Sequence, residues 1–127
     1  MSEINQLTGT IISAAVEVHR ALGPGLLESA YERCLCHELE LRGVPFKCQM
    51  ALPVQYKGQL LDCSYRIDVL VANRVVIEVK AVEAILPIHE AQLITYLKLG
   101  GWQVGLLMNF NVGLLKRGIR RLVNDLK

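Results

Sequence analysis

Three ionisable residues stand inside the most apolar stretch of the chain: Asp68, Glu78 and Lys80, within Tyr65–Lys80. Val and Ile dominate the arms around them, as strands prefer. An unpaired charge buried in such a strand costs several kcal/mol or titrates away, so these three need a chemical reason. Two carboxylates and an amine suit hydrolysis. Mg²⁺ is a hard ion that takes one or two carboxylates together with water and substrate phosphate. An amine beside it can orient or deprotonate the attacking water, or stabilise charge on the phosphate.

Strand alternation decides whether these groups meet. Ile67, Val69 and Val71 share one face, and Asp68 and Leu70 the other. On the second arm Val75, Ile77 and Val79 oppose Val76, Glu78 and Lys80. Matching the apolar faces around the loop Ala72-Asn73-Arg74 pairs Val71 with Val75 and Val69 with Ile77. Asp68 then lies across from Glu78, with Cβ atoms about 5 Å apart. Two like charges so placed repel unless a cation lies between them or one is protonated. A one-residue slip would part the carboxylates but mismatch the apolar sets.

The 127 residues are read as one domain, 1–127, large enough for a core. A hydrophobic fraction of 52% implies a generous core or an apolar surface covered by a partner. The net charge of +2 is too weak to argue for nucleic acid by itself. No basic leader and no run of roughly 18 apolar residues is visible, so the expected location is cytoplasmic. Cys34, Cys36, Cys48 and Cys63 lack paired C-x-x-C spacing and are read as reduced residues, two in a helix and two in strands.

The spacing of Ile4, Leu7, Ile11, Ala14, Ala15, Val18 and Leu22 predicts a first helix, capped by Ser2 and ended by Gly23. A second helix runs from Leu27 to Arg42, with Glu28 beside its apolar stripe. Strands follow at Phe46–Tyr56, Leu60–Val71 and Val75–Val82, with Pro53 marking an edge or irregularity and Lys57-Gly58 a turn. Pro87 opens a third helix that carries His89, Gln92 and Tyr96 on one side. A fourth strand spans Gln103–Phe110, and Leu114–Leu126 is expected to be an amphipathic helix. The order is ααβββαβα: an α/β (α+β) fold with a mixed four-stranded sheet flanked by helices, strands three and four parallel.

The run Asp68, nine residues, then Glu78-Val79-Lys80 resembles the D…ExK signature of the PD-(D/E)XK nuclease superfamily, and Gly25-Leu26-Leu27-Glu28-Ser29-Ala30-Tyr31 resembles the motif of the GxxExxY family within it. The resemblance implies a restriction-endonuclease-like core. It implies Mg²⁺ (or Mn²⁺) held by Asp68, Glu78 and the Val79 carbonyl, with Glu28 completing or enlarging the site. It places Gln92 beside the catalytic Lys80, and Tyr31 as a packing residue with its hydroxyl in the site. Ile67 stands where the signature has Pro, a residue dispensable in many relatives.

A purely structural reading makes Asp68, Glu78, Lys80 and Arg66 an ion-pair cluster, but it sets Arg66 across from Lys80 as well as acid across from acid. Lys116, Arg117, Arg120 and Arg121 form two i,i+4 cationic pairs on the last expected helix, suited to a nucleic-acid backbone or simply to solvent. There is no aromatic–basic interleaving for strand stacking. The resulting expectation is a Mg²⁺-dependent nuclease acting on nucleic acid, DNA first. The alternatives are a non-catalytic nucleic-acid- or protein-binding subunit, and a homodimer whose role is assembly.

Overall fold

In a computed structural model, residues 2–124 are described. Helix α1 spans Glu3–Leu22 and α2 spans Glu28–Leu41. The Ser2 hydroxyl accepts the Asn5 amide at 3.2 Å, and Gly23, at φ 68°, closes α1 by donating to the His19 carbonyl. Strands β1 (Phe46–Ala51), β4 (Arg66–Val71), β5 (Val75–Lys80), β6 (Val104–Asn109) and β7 (Ile119–Val123) form one mixed sheet in the order β1-β4-β5-β6-β7. Strands β5 and β6 are parallel and joined by α3 (Pro87–Gly100); the other neighbours are antiparallel. Strands β2 (Val54–Tyr56) and β3 (Gln59–Leu61) make a separate hairpin.

Helices cover both faces. Ile11, Ala15, Tyr31, Leu35 and Leu39 pack on Val69, Val71, Val75 and Ile77. On the opposite face Leu93, Tyr96 and Leu97 pack on Leu70, Val76 and Leu107. Strand β6 is buried along its whole length, which accounts for its unbroken apolar run. The α/β sandwich and its parallel β5–β6 pair match the expected restriction-endonuclease-like architecture. No helix among the described residues is long and apolar enough to cross a membrane.

Several expected elements differ. The sheet has five strands, not four. The expected Phe46–Tyr56 strand breaks at Leu52-Pro53, and the Leu60–Val71 strand breaks where Ser64, at φ 63°, donates its amide to the Asp62 carboxylate at 2.9 Å. Cys63 therefore lies in a loop rather than a strand. The expected last helix is replaced by a 3₁₀ turn, Leu115–Gly118, followed by β7; residues 125–126 lie outside the described part. The helical spacing of Leu115, Ile119 and Leu122 competes with the alternation of Ile119 to Val123. The free edge of β6 decides in favour of the strand, because pairing satisfies its backbone groups.

Gly118 makes that join possible. A Cβ there would stand 2.2 Å from the Asn109 carbonyl oxygen, a backbone atom. Gly118→Ala is expected to destabilise the fold by about 1–3 kcal/mol, read by urea denaturation. Gly113→Ala, which meets open space, serves as the control; equal midpoints for the two variants would contradict this packing.

Candidate active site

The β4–β5 hairpin turns through Ala72 and Asn73, both at positive φ, and closes with the Arg74 amide donating to Val71 at 2.9 Å. The observed register pairs Val71 with Val75 and Val69 with Ile77, as the apolar faces require. Beyond that pair the strands are laced by side chains. The Asp68 amide donates to Glu78 Oε2 at 3.0 Å, and the Val79 amide donates to Asp68 Oδ2 at 2.8 Å. Asp68 and Glu78 thus face each other, each fixed by the other strand's backbone.

The alternation changes at this point. Ile67 was expected beside Val69, yet it packs with Leu70 and Val76 in the cluster under α3. Opposite Asp68 on β1, Gln49 takes a φ of 50° and drops out of the ladder between Cys48–Val69 and Met50–Ile67. Gln49 Nε2 donates to Glu32 Oε1 at 2.8 Å and reaches Asp68 Oδ1 at 3.4 Å. Arg66 pairs with Ala51 of β1. The expected opposition of Arg66 and Lys80 falls outside the β4–β5 ladder, which ends at Val69–Ile77.

The electrostatics are those of crowded acids. Glu78 is only 6% exposed. Burial first, then the Asp68 charge, pushes its carboxyl up from an ordinary 4.5 to about 8, against the opposing pull of the Asp68 amide and Lys80. Burial also raises the Asp68 carboxyl, opposed by the Val79 amide and by Lys80, with Glu28 adding to the rise. Burial raises Glu32 as well, and the Gln49 hydrogen bond opposes this. Lys80 favours ionisation of both strand acids, but no ion pair within 4.0 Å joins them among the described residues. The structural ion-pair cluster is therefore not what forms.

Both helical layers contribute. From α2, Glu28 Oε2 accepts the Ala81 amide at 3.1 Å, just past Lys80. From α3, burial and then the Glu78 charge push the Tyr96 hydroxyl up. Gln92, expected beside Lys80, donates from Nε2 to Tyr96 Oη at 2.9 Å. Tyr31 was expected to bring its hydroxyl to the site. Its hydroxyl donates to the Gly23 carbonyl at 2.6 Å and accepts the Leu26 amide at 3.0 Å, while its ring stacks on Phe110 at 4.6 Å.

The four cations do not gather on one helix. Lys116 and Arg117 lie on the 3₁₀ turn, and Arg120 and Arg121 on β7. Arg120 sits 3.9 Å from Glu90 of α3, whereas Arg121 donates to Asn5 of α1 at 3.0 Å. Strand alternation sends these two to opposite faces.

Sequence reasoning missed Gln49, Glu32 and Asn109. Glu32 follows Glu28 by one helical turn, a legible signal. Asn109, 2% exposed and paired with Lys80 across β5–β6, accepts the Val82 and Asn111 amides and donates to the Val82 carbonyl. It fastens the segment that follows Lys80, which no spacing rule shows.

Residues 5–122 match the sequence family described as the PD-(D/E)XK nuclease superfamily. The chain belongs to the PD-(D/E)XK nuclease superfamily. No curated protein and no solved structure matches it. In this superfamily member Asp68 and Glu78 are the residues laced across β4 and β5. Among the described residues, no three acidic, His or Cys side chains already form a metal cage. The donor set still suits Mg²⁺, which uses one or two carboxylates and keeps much of its water. Two closely set, mutually repelling carboxylates are what a divalent cation relieves.

The raised Glu78 carboxyl has a stability consequence. Below pH 4.5 both folded and unfolded states are protonated. Between about 4.5 and 8 only the unfolded state ionises, so stability falls as pH rises, by at most about 1.4 kcal/mol per pH unit. Glu78→Gln keeps an acceptor for the Asp68 amide and removes this loss. With EDTA at pH 9, the variant is expected to melt above wild type, and at pH 4 to match it. Melting below wild type at pH 9 would refute the strained-carboxylate account.

Proposed function

We propose that the protein is a metal-dependent nuclease that hydrolyses phosphodiester bonds of nucleic acid, with DNA as the first substrate to test. The reading rests on one observation: buried Glu78 and half-buried Asp68 are each held by the opposing backbone, with Lys80 adding positive charge and no ion pair to it among the described residues. Asp68, Glu78 and the Val79 carbonyl would hold Mg²⁺ or Mn²⁺, with Glu28 at its margin. When bound, such an ion polarises a phosphoryl oxygen and lowers the pKa of bound water.

The chain's own residues do the rest. Lys80 lies two residues past Glu78 with no ion pair among the described residues, so it is available to orient water and to stabilise charge on the phosphate. Glu28 holds the Ala81 amide and Asn109 the Val82 segment, which together fix the strand end that carries Lys80. Gln92 acts through Tyr96 as a positioning residue.

We assign the chain to the GxxExxY family on the same residues. Gly25 takes a φ of 104°, Glu28 caps the Ala81 amide, and Tyr31 pins the Gly23–Leu26 turn that aims Glu28. Each named position of the motif thus has a structural task that serves the site.

The test is a cleavage screen over single- and double-stranded DNA and RNA with Mg²⁺ and Mn²⁺. Lys80→Ala is expected to keep the wild-type circular dichroism spectrum and lose at least about a hundredfold in rate. Asp68→Ala is expected to be inactive. A folded Lys80→Ala protein that cuts at the wild-type rate would sink the mechanism. Metal-independent binding with no cleavage of any substrate would favour a non-catalytic subunit instead.

A further inference from the structure

A cleft of about 510 Å³ opens along α3, lined by Tyr65, His89, Gln92 and Tyr96 together with apolar Val54 and Ile88. The Tyr65 and Tyr96 rings lie 5.9 Å apart at 58°, and Tyr65 is 43% exposed. Of the polar groups that line it, which also include Thr95, two have hydrogen-bonding roles fixed by their neighbours. Gln92 spends its amide nitrogen on Tyr96, which leaves its carbonyl oxygen as an acceptor. His89 Nδ1 accepts the Leu86 amide at 3.0 Å, so its proton sits on Nε2 as a donor. Arg66 follows Tyr65 in the chain, donates to the Tyr65 carbonyl at 3.1 Å and makes no ion pair among the described residues.

We propose that this cleft is a nucleobase subsite, which takes one unstacked base of a single-stranded segment against Tyr65 while Arg66 meets its phosphate. The inference rests on the nuclease reading above and names the substrate class of that site. Three features favour a base over a protein side chain or a second copy of the chain. The cleft shares Tyr96 with the layer that packs α3 on β4 and β5, the strands that carry the candidate catalytic groups. It pairs an aromatic face with one donor and one acceptor, the complement of a base edge. A phosphate-binding cation stands one residue from the stacking ring. The hairpin β2–β3 supplies Val54 to the lining, and a base in the middle of a duplex, stacked on both sides, must be extruded before it can meet the Tyr65 ring.

The sequence shows no aromatic–basic interleaving; the fold assembles it from three elements. Tyr65 comes from the loop before β4, Arg66 from β4, and His89, Gln92 and Tyr96 from α3.

The test compares a fluorescein-labelled ten-nucleotide single strand of DNA, an abasic strand of the same length, and a duplex, by anisotropy with Ca²⁺ in place of Mg²⁺. Wild type is expected to bind the base-bearing strand roughly tenfold more tightly than the abasic strand, the size of one stacking contact. Tyr65→Ala is expected to bind both at the abasic level, and Tyr65→Trp to keep the difference. No base-dependent increment in wild type, or an increment that survives Tyr65→Ala, overturns the subsite. So does a change from dimer to monomer in Tyr65→Ala with the increment intact, which would mark a self-association face. Cleavage with Mg²⁺ is scored separately on the same substrates. Cutting without a base increment leaves the nuclease and removes the subsite; an increment without cutting does the reverse. Neither binding nor cutting removes both.

Discussion

Everything near the site follows from one constraint: two carboxylates must be kept close together and largely out of water. Asp68 and Glu78 repel each other, and burial makes each charge costlier still. The hairpin tolerates them because each accepts a backbone amide from the opposite strand. Those amides would otherwise be left unpaired where the β4–β5 ladder ends, at a cost of about 1–3 kcal/mol each. The acids are thus part of the strand pairing, and a site of this kind is hard to lose without loosening the hairpin.

That lacing also explains why the site draws on both helical layers. Where the ladder ends, Ile67 changes face and Gln49 leaves its pairing position. The gap admits Glu28 and Glu32 from α2 on one side and Tyr96 with Gln92 from α3 on the other. The first pair crowds negative charge around the strand acids. The second lines an aromatic cleft with Tyr65. A regular, fully paired strand would have confined Asp68 to a single face and a single layer.

The elements that were legible are those where local chemistry and tertiary packing agree. Ser2 and Gly23 cap α1, Pro87 and Gly101 bound α3, and the apolar matching of Val71 with Val75 sets the hairpin register. The misses have a common cause. Ile119–Val123 satisfies helical and strand spacing equally, and only the open edge of β6 chooses between them. Pro53 was legible as an irregularity, but the break near Ser64 depends on an Asp62 side chain folding back onto its own backbone. The cysteines show the same limit. Cys36 and Cys48 were readable as reduced, yet nothing local shows that their sulfurs meet at 3.2 Å between α2 and β1.

Composition and alternation alone determined that Asp68 and Glu78 oppose each other, because shifting the strands by one residue would expose the apolar face of both. They also determined that Lys80 lies beyond Glu78 on the same strand, and that Glu28 belongs to a helix start. Only the tertiary structure decided that Glu28 reaches the strand end after Lys80, that Gln92 turns to Tyr96, and that Arg120 and Arg121 part to opposite faces. Those outcomes depend on which layer packs where, and on backbone amides left over when a ladder ends. Neither is a property of any window of sequence. The hairpin states that there is a pair of acids; the layers around it state what else they can touch.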